Sequence, residues 1–155
     1  MKERRIHFEE MIRTAERGNT RAQRRLGKCY LYGDGIERNY EEAIRWFRSA
    51  ALSDDYESLY LLSRCYRQRC PQRSNPDNAL EILELAAECG YPEAQYDLAE
   101  CYARGYGFRK SARKAARWYR RAADQGHPDA LKKLAERKAR RTLRSARTPN
   151  PGRAE

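Results

Sequence analysis

Long apolar runs are missing from this chain of 155 residues. No stretch approaches the roughly 18 consecutive apolar residues of a membrane span. Met1 to Phe8 is charged and no apolar segment follows it, so the expectation is a soluble cytoplasmic protein without a secretory signal. Histidine is scarce: His7 and His127 are the two in the chain, and they match no catalytic triad. Cysteine is present five times, but not as a framework. Cys29, Cys65 and Cys101 recur at intervals of 36 residues, so they fill one structural slot three times. Equivalent atoms of successive helical hairpins lie about 10 Å apart, beyond the ~7 Å Cα separation a disulfide tolerates. The slot reads as a small buried residue. No histidine or second cysteine stands at ligand spacing, so no metal and no cofactor is expected. Cys89 and Cys70 fall outside the slot. Cys70 sits in the basic segment Arg69-Cys70-Pro71-Gln72-Arg73, and is expected to be the most accessible thiol.

What is present is repetition. Leu26, Leu62, Leu98 and Leu134 are spaced by 36 residues, as are Tyr30, Tyr66 and Tyr102, and the pairs Ala50-Ala51, Ala86-Ala87 and Ala122-Ala123. A period in this range marks a solenoid, in which units too small to bury an apolar face alone stack into one elongated core. The mean hydropathy of −1.07 and the 35% of charged residues suit such a surface-rich array.

Residues 18–53 form the first copy. Gly18 closes the preceding helix and Asn19 caps the next, which runs to about Tyr32 with Ala22, Leu26, Cys29 and Tyr30 on one face. Gly33 and Gly35 make a tight loop pinned by Ile36. Asn39 caps a second helix, with Glu42 placed to complete a capping box. That helix buries Ala43, Trp46 or Phe47, Ala50 and Ala51. Residues 90–125 match closely, with Pro92 in the first helical turn. Residues 54–89 are degenerate: Asp54 replaces the first glycine, Arg69 and Pro71 replace both loop glycines, and Ile82-Leu83 replaces the aromatic pair. Residues 1–17 read as an N-terminal capping helix, in which Met11 and Ala15 match Phe47 and Ala51. Residues 126–147 read as a basic C-terminal capping helix, and residues 148–155 as a disordered tail.

Leu26-Gly27-x-x-Tyr30, Gly33-x-Gly35-Ile36 and Ala43-x-x-Trp46-Phe47-x-x-Ala50-Ala51, closed by a glycine, resemble the Sel-1-like repeat, a longer relative of the tetratricopeptide repeat. The resemblance covers about residues 5–135. It implies a right-handed, all-α superhelical solenoid of antiparallel helical hairpins whose first helices line a concave face. It also implies an adaptor that assembles protein complexes rather than an enzyme. A few members of the family carry a penicillin-binding or β-lactamase label, and Ser111-Ala112-Arg113-Lys114 is an S-x-x-K string. Ser111, however, occupies the N-cap slot of Asn39 and Asn75, and neither S-D-N nor K-T-G occurs. A β-lactamase-like hydrolase is thus a minor alternative.

Mapped onto tetratricopeptide geometry, the groove positions are Arg21, Arg24, Lys28, Leu31 and Tyr32 in the first copy. They are Glu57, Tyr60, Arg64, Arg67 and Gln68 in the second, and Glu93, Tyr96, Glu100, Ala103 and Arg104 in the third. Arginine and lysine beside tyrosine suit an acidic peptide or protein. The net charge of +11 is concentrated at the two ends. Lys132, Lys133, Arg137, Lys138, Arg140, Arg141, Arg144 and Arg147 line the last helix. They support the alternative reading, sequence-independent binding of nucleic acid or another anionic surface. No aromatic residue follows Tyr119, so base stacking is not expected.

Overall fold

A computed structural model describes residues 2–69 and 76–147. Among these the chain is helical and has no strand: α1 (Lys2–Glu16), α2 (Thr20–Tyr32), α3 (Tyr40–Ala51), α4 (Tyr56–Arg69), α5 (Pro76–Glu88), α6 (Pro92–Arg104), α7 (Ala112–Asp124) and α8 (Pro128–Arg147). The contacts divide the chain into two compact units, residues 1–94 and 95–155. Cys70 and its flanking loop, and the tail from residue 148, lie outside the described residues.

The helix boundaries follow from turn chemistry. Gly18, Gly90 and Gly126 close their helices at φ of 87°, 95° and 84°. The second copy has Asp54 at this slot with φ of 57°, the one non-glycine residue at positive φ among those described. Aspartate tolerates this conformation better than most side chains, at some cost in strain. The loops after α2 and α6 are copies. Gly33 and Gly105 donate to the carbonyls of Cys29 and Cys101, and Asn39 and Ser111 donate to those of Tyr30 and Tyr102. In this way each loop is hydrogen-bonded back to the helix it leaves. The capping box expected at Asn39 does not form. Its backbone N–H is given to Tyr30, and the Glu42 carboxylate pairs with Arg45 at 3.3 Å. The Asn39 side chain still accepts from the N–H groups of Glu41 and Glu42.

In the first unit, α2, α3 and α4 bury Leu31, Ile44, Phe47, Leu61, Leu62 and Cys65 together, while Ala15 of α1 meets Leu26 and Trp46. Both Trp46 and Phe47 are buried. In the second unit, Ala122, Ala123 and Ala130 form a core with Tyr96 and Leu134 beside it, and Phe108 of the glycine loop stacks on Tyr102 at 4.7 Å. The cysteine slot is less uniform than its spacing implies. Cys65 and Cys101 are buried, but Cys29 is only half-buried. Burial pushes the Cys65 thiol up to about 11, and burial with Asp34 nearby also raises that of Cys29. Cys89 is the exposed thiol among those described. The tyrosine slot varies likewise: Tyr102 is buried, whereas Tyr30 and Tyr66 are half-buried at the margin of the core.

The tightest constraint lies between α2 and α3. A Cβ on Gly27 would stand 2.6 Å from the Phe47 ring. The equivalent pairs, Ser63 with Leu83 and Ala99 with Tyr119, are also small on the first helix and large on the second, and all four side chains are buried. Gly27→Ala gains about 1 kcal/mol of helix propensity but overpacks this site at a cost of about 1–3 kcal/mol. A net loss of stability is expected. Adding Phe47→Leu, which copies the second repeat, should make the double variant more stable than the sum of the two changes implies. Urea denaturation of the four proteins measures this, and strict additivity would contradict the contact.

Candidate functional site

The first helices carry the candidate site, and each residue foreseen there has a definite environment. On α2, Arg21 is exposed and Tyr32 is 56% exposed. Leu31 does not face a groove: it is 2% exposed and belongs to the core. Its slot lies over α3 and α4, where an aliphatic side chain gains more from burial than from solvent. Arg24 and Lys28 are not the free cations that their spacing implied. Arg24 pairs with Asp55 at 2.5 Å and with Glu57 at 3.1 Å, and Lys28 pairs with Glu57. All four side chains are between 14% and 39% exposed, so the pairs are partly shielded from water.

On α4, Tyr60 is half-buried with its ring 5.3 Å from that of Tyr91, and the Arg64 guanidinium lies 5.9 Å from its centroid. Arg67 is half-buried and Gln68 exposed. Burial raises the Tyr91 phenol above the ordinary range, with Glu93 and Glu57 adding to the effect. A shallow cavity of about 370 Å³ lies between α1 and α2, lined by Met11 and Thr14 and flanked by Glu10, Arg21 and Arg25.

In the second unit, Tyr96 stacks on His127 at 4.7 Å and meets Tyr119 at 5.7 Å. Glu100 is the hub of this unit. It accepts a hydrogen bond from the Tyr119 hydroxyl, pairs with Arg104 at 2.8 Å and stands 3.6 Å from Lys133. Burial raises its pKa, but the Tyr119 hydrogen bond and the two cations outweigh this, and the carboxyl sits below the usual range. The Tyr119 phenol is raised by burial and by that same hydrogen bond. Ala103 is half-buried. Of the basic residues of α8, Lys133 is half-buried, whereas Lys132, Arg137, Lys138, Arg140, Arg141 and Arg144 are exposed.

Glu57 is one of the groove positions, but its pairing with α2 and that of Asp55 are visible in the sequence only as a spacing. Arg24 meets Asp55, Tyr60 meets Tyr91 and Tyr96 meets His127, each pair 31 residues apart. One slot on a first helix thus touches the residue that precedes the next first helix. Two of these partners also cap helices: Asp55 accepts from the N–H of Ser58, and His127 through Nδ1 from that of Ala130. Asn19 does the same for α2. Ser111 accepts from the N–H of Lys114 at 3.2 Å, so its hydroxyl serves as a helix cap. Among the described residues there is no cluster of His, Cys, Asp and Glu that could hold a metal. Nor is any helix among them long and apolar enough to cross a membrane.

Comparison with known proteins agrees with this geometry. The family profile described as Sel1 repeat matches residues 20–55, 57–91 and 92–127. Among solved structures, the chain is similar to a Sel1 repeat protein from Oxalobacter formigenes, with a TM-score of 0.76 and 27% identity over 83% of this chain and 53% of that one. It is also similar to a protective antigen present in uropathogenic Escherichia coli strains that displays an SLR fold, with a TM-score of 0.70 and 30% identity over 77% of this chain. The chain spans about half the length of the first structure and about a quarter of the second. No curated protein matches. The fold class is that of these structures, an all-α solenoid.

Two outcomes are expected. Arg24→Ala and Asp55→Asn, the latter keeping the helix cap, should show a coupling of about 0.5–1 kcal/mol in a double-mutant cycle, as for a partly shielded ion pair. A coupling of zero would mean that the pair contributes nothing. Glu100→Gln should destabilise most at neutral pH. A carboxyl whose folded pKa is lowered stabilises the fold above its unfolded value, and that stability is lost as pH falls through the folded one. The gap between the two proteins in urea midpoint should therefore shrink below about pH 4. An equal gap at pH 7 and pH 3 would contradict this origin.

Proposed function

The chain belongs to the Sel1 repeat family, whose members serve in general as scaffolds for protein–protein contacts, and from that premise we propose that it is a non-enzymatic adaptor holding an acidic peptide or protein segment against α2 and α4. The observation that carries the reading is the composition of that face. Arg21, Arg64 and Tyr32 are each exposed or half-buried beside a neutralised cluster of Arg24, Lys28, Asp55 and Glu57. An aromatic ring offers flat contact area at small entropic cost, and guanidinium groups form charge-assisted hydrogen bonds to carboxylates. Arg24 and Lys28 play a different part: they set the register of α2 against α4, and an acidic ligand would have to compete with Asp55 and Glu57 for them. The preference for acidic ligands therefore rests on Arg21 and Arg64.

Selection of random peptides displayed against the full chain tests this. Enriched peptides should carry Asp and Glu beside an aromatic or aliphatic residue, and their binding should weaken with salt. The variant Arg21→Glu/Arg64→Glu/Tyr32→Ala should lose about tenfold or more in affinity for them, because a few anchors carry most of the energy of an interface. Its thermal midpoint should stay close to that of the parent chain. Peptides without acidic residues, or undiminished binding by the variant, would overturn the reading.

A further inference from the structure

The C-terminal half of α8 is a helix with little to pack against: it reaches another helix through a long hydrogen bond, 3.4 Å, from the Arg137 guanidinium to the Ala112 carbonyl. Every described residue from Ala135 to Ser145 is exposed, on all sides of the helix. A helical segment this short is marginal in water when it buries so little. Its charges make matters worse. Arg137 and Arg141, and Arg140 and Arg144, are like-charged neighbours one turn apart, and such pairs destabilise a helix. Among the described residues Arg137, Lys138, Arg140, Arg141 and Arg144 have no ion pair. The single opposing charge within the stretch is Glu136.

The arginines share one side of the helix. At about 100° per residue, Arg137, Arg140, Arg141 and Arg144 fall within an arc of roughly 100°, in line with Lys133, which is half-buried and 3.6 Å from Glu100. Leu131, Ala135, Ala139 and Leu143 lie on the other side and are also exposed, with Lys132 among them and Lys138 at their margin. We infer that this basic face of α8 binds the phosphate backbone of double-stranded DNA without regard to sequence.

Three observations favour that partner. Four of the five cations in the face are arginines, whose planar fork matches a phosphate in two hydrogen bonds. A helix about 10–12 Å across fits a groove about 12 Å wide, so neighbouring phosphates come within reach of cations one turn apart. The helix has no aromatic residue on which an unpaired base could stack, which disfavours a single strand. A lipid surface fits less well. Lys132 interrupts the side that carries the two leucines, Lys138 borders it, and alanines make up half of that stripe, so α8 has no unbroken apolar face to bury in a bilayer. Phosphates placed along the basic face would relieve its self-repulsion, so binding and helix formation should reinforce each other.

The test uses the full chain and a fluorescent 20-base-pair duplex of arbitrary sequence. Binding followed by anisotropy should be equal for two unrelated sequences. It should fall with salt at a log–log slope of about −4, the value for four to five phosphate contacts. Arg137→Glu/Arg141→Glu/Arg144→Glu should weaken it about a hundredfold or more, whereas the charge-matched control Arg48→Glu/Arg117→Glu/Arg120→Glu should keep most of the affinity. Helical content should rise when duplex is added to the parent chain. The proposal is overturned if the control loses as much as the α8 variant. Tighter binding to single-stranded homopolymers than to duplex would also overturn it. So would phosphatidylserine vesicles capturing the chain where the duplex does not, or no binding at 50 mM salt, which would leave the charges as a solvated end cap. None of these outcomes touches the peptide site on α2 and α4, whose residues the α8 variant leaves unchanged.

Discussion

The close approach of each second helix to its first helix governs this protein. Phe47 lies over Gly27 so tightly that a single added carbon would collide with the ring. Such contact fixes how far apart the two helices of a hairpin can be, and with that the spacing at which the next hairpin must dock. The alanines of the second helices, Ala43, Ala50, Ala79, Ala86, Ala115 and Ala122, are buried almost without exposure. They make the same kind of demand: close packing requires small side chains on one partner. The cysteine slot belongs with them as a small apolar residue, and its thiols, raised by burial at Cys65 and Cys29, are poor nucleophiles at neutral pH.

Much of this was legible in the sequence because the repeat is in register. The helices, the glycines at positive φ, the caps at Asn19, Asn39 and Ser111 and the burial of Leu26 and Leu98 all follow from residues that recur at fixed intervals. The candidate face was less legible. Periodicity says which slot a residue fills but not what stands opposite it. Arg24 and Lys28 look like free cations until Asp55 and Glu57 are brought beside them from the start of the following helix. The Leu31 slot illustrates the same limit: its equivalents are Arg67 and Ala103, both half-buried, so the slot is a border between core and surface and the side chain decides which it joins. Degeneracy misleads in the other direction. Asp54 departs from the glycine pattern, yet the backbone keeps the left-handed turn.

The two chemistries of the face have different tolerance for change. An ion pair such as Arg24 with Asp55 loses strength in salt, while rings such as Tyr60 and Tyr91 hold by area and are indifferent to it. Helix capping is merged with these contacts at Asp55 and His127, so one side chain both starts a helix and meets its neighbour. Replacement of either would disturb two functions at once.

The contacts that recur every 31 residues give the array a reading order. The ion pair at the first junction, the tyrosine pair at the second and the tyrosine–imidazole stack at the third are three different pairings at one slot. Loss of residues 54–89 by unequal recombination would preserve every hydrophobic position, because the period is intact. It would nevertheless bring the Arg24 guanidinium against the Tyr91 ring in place of the Asp55 carboxylate, with Glu93 in the slot of Glu57 as its remaining acidic neighbour. Core residues make the repeats interchangeable, and the junction pairs make them distinct. A lineage that shuffled its repeats would have to exchange these side chains two at a time.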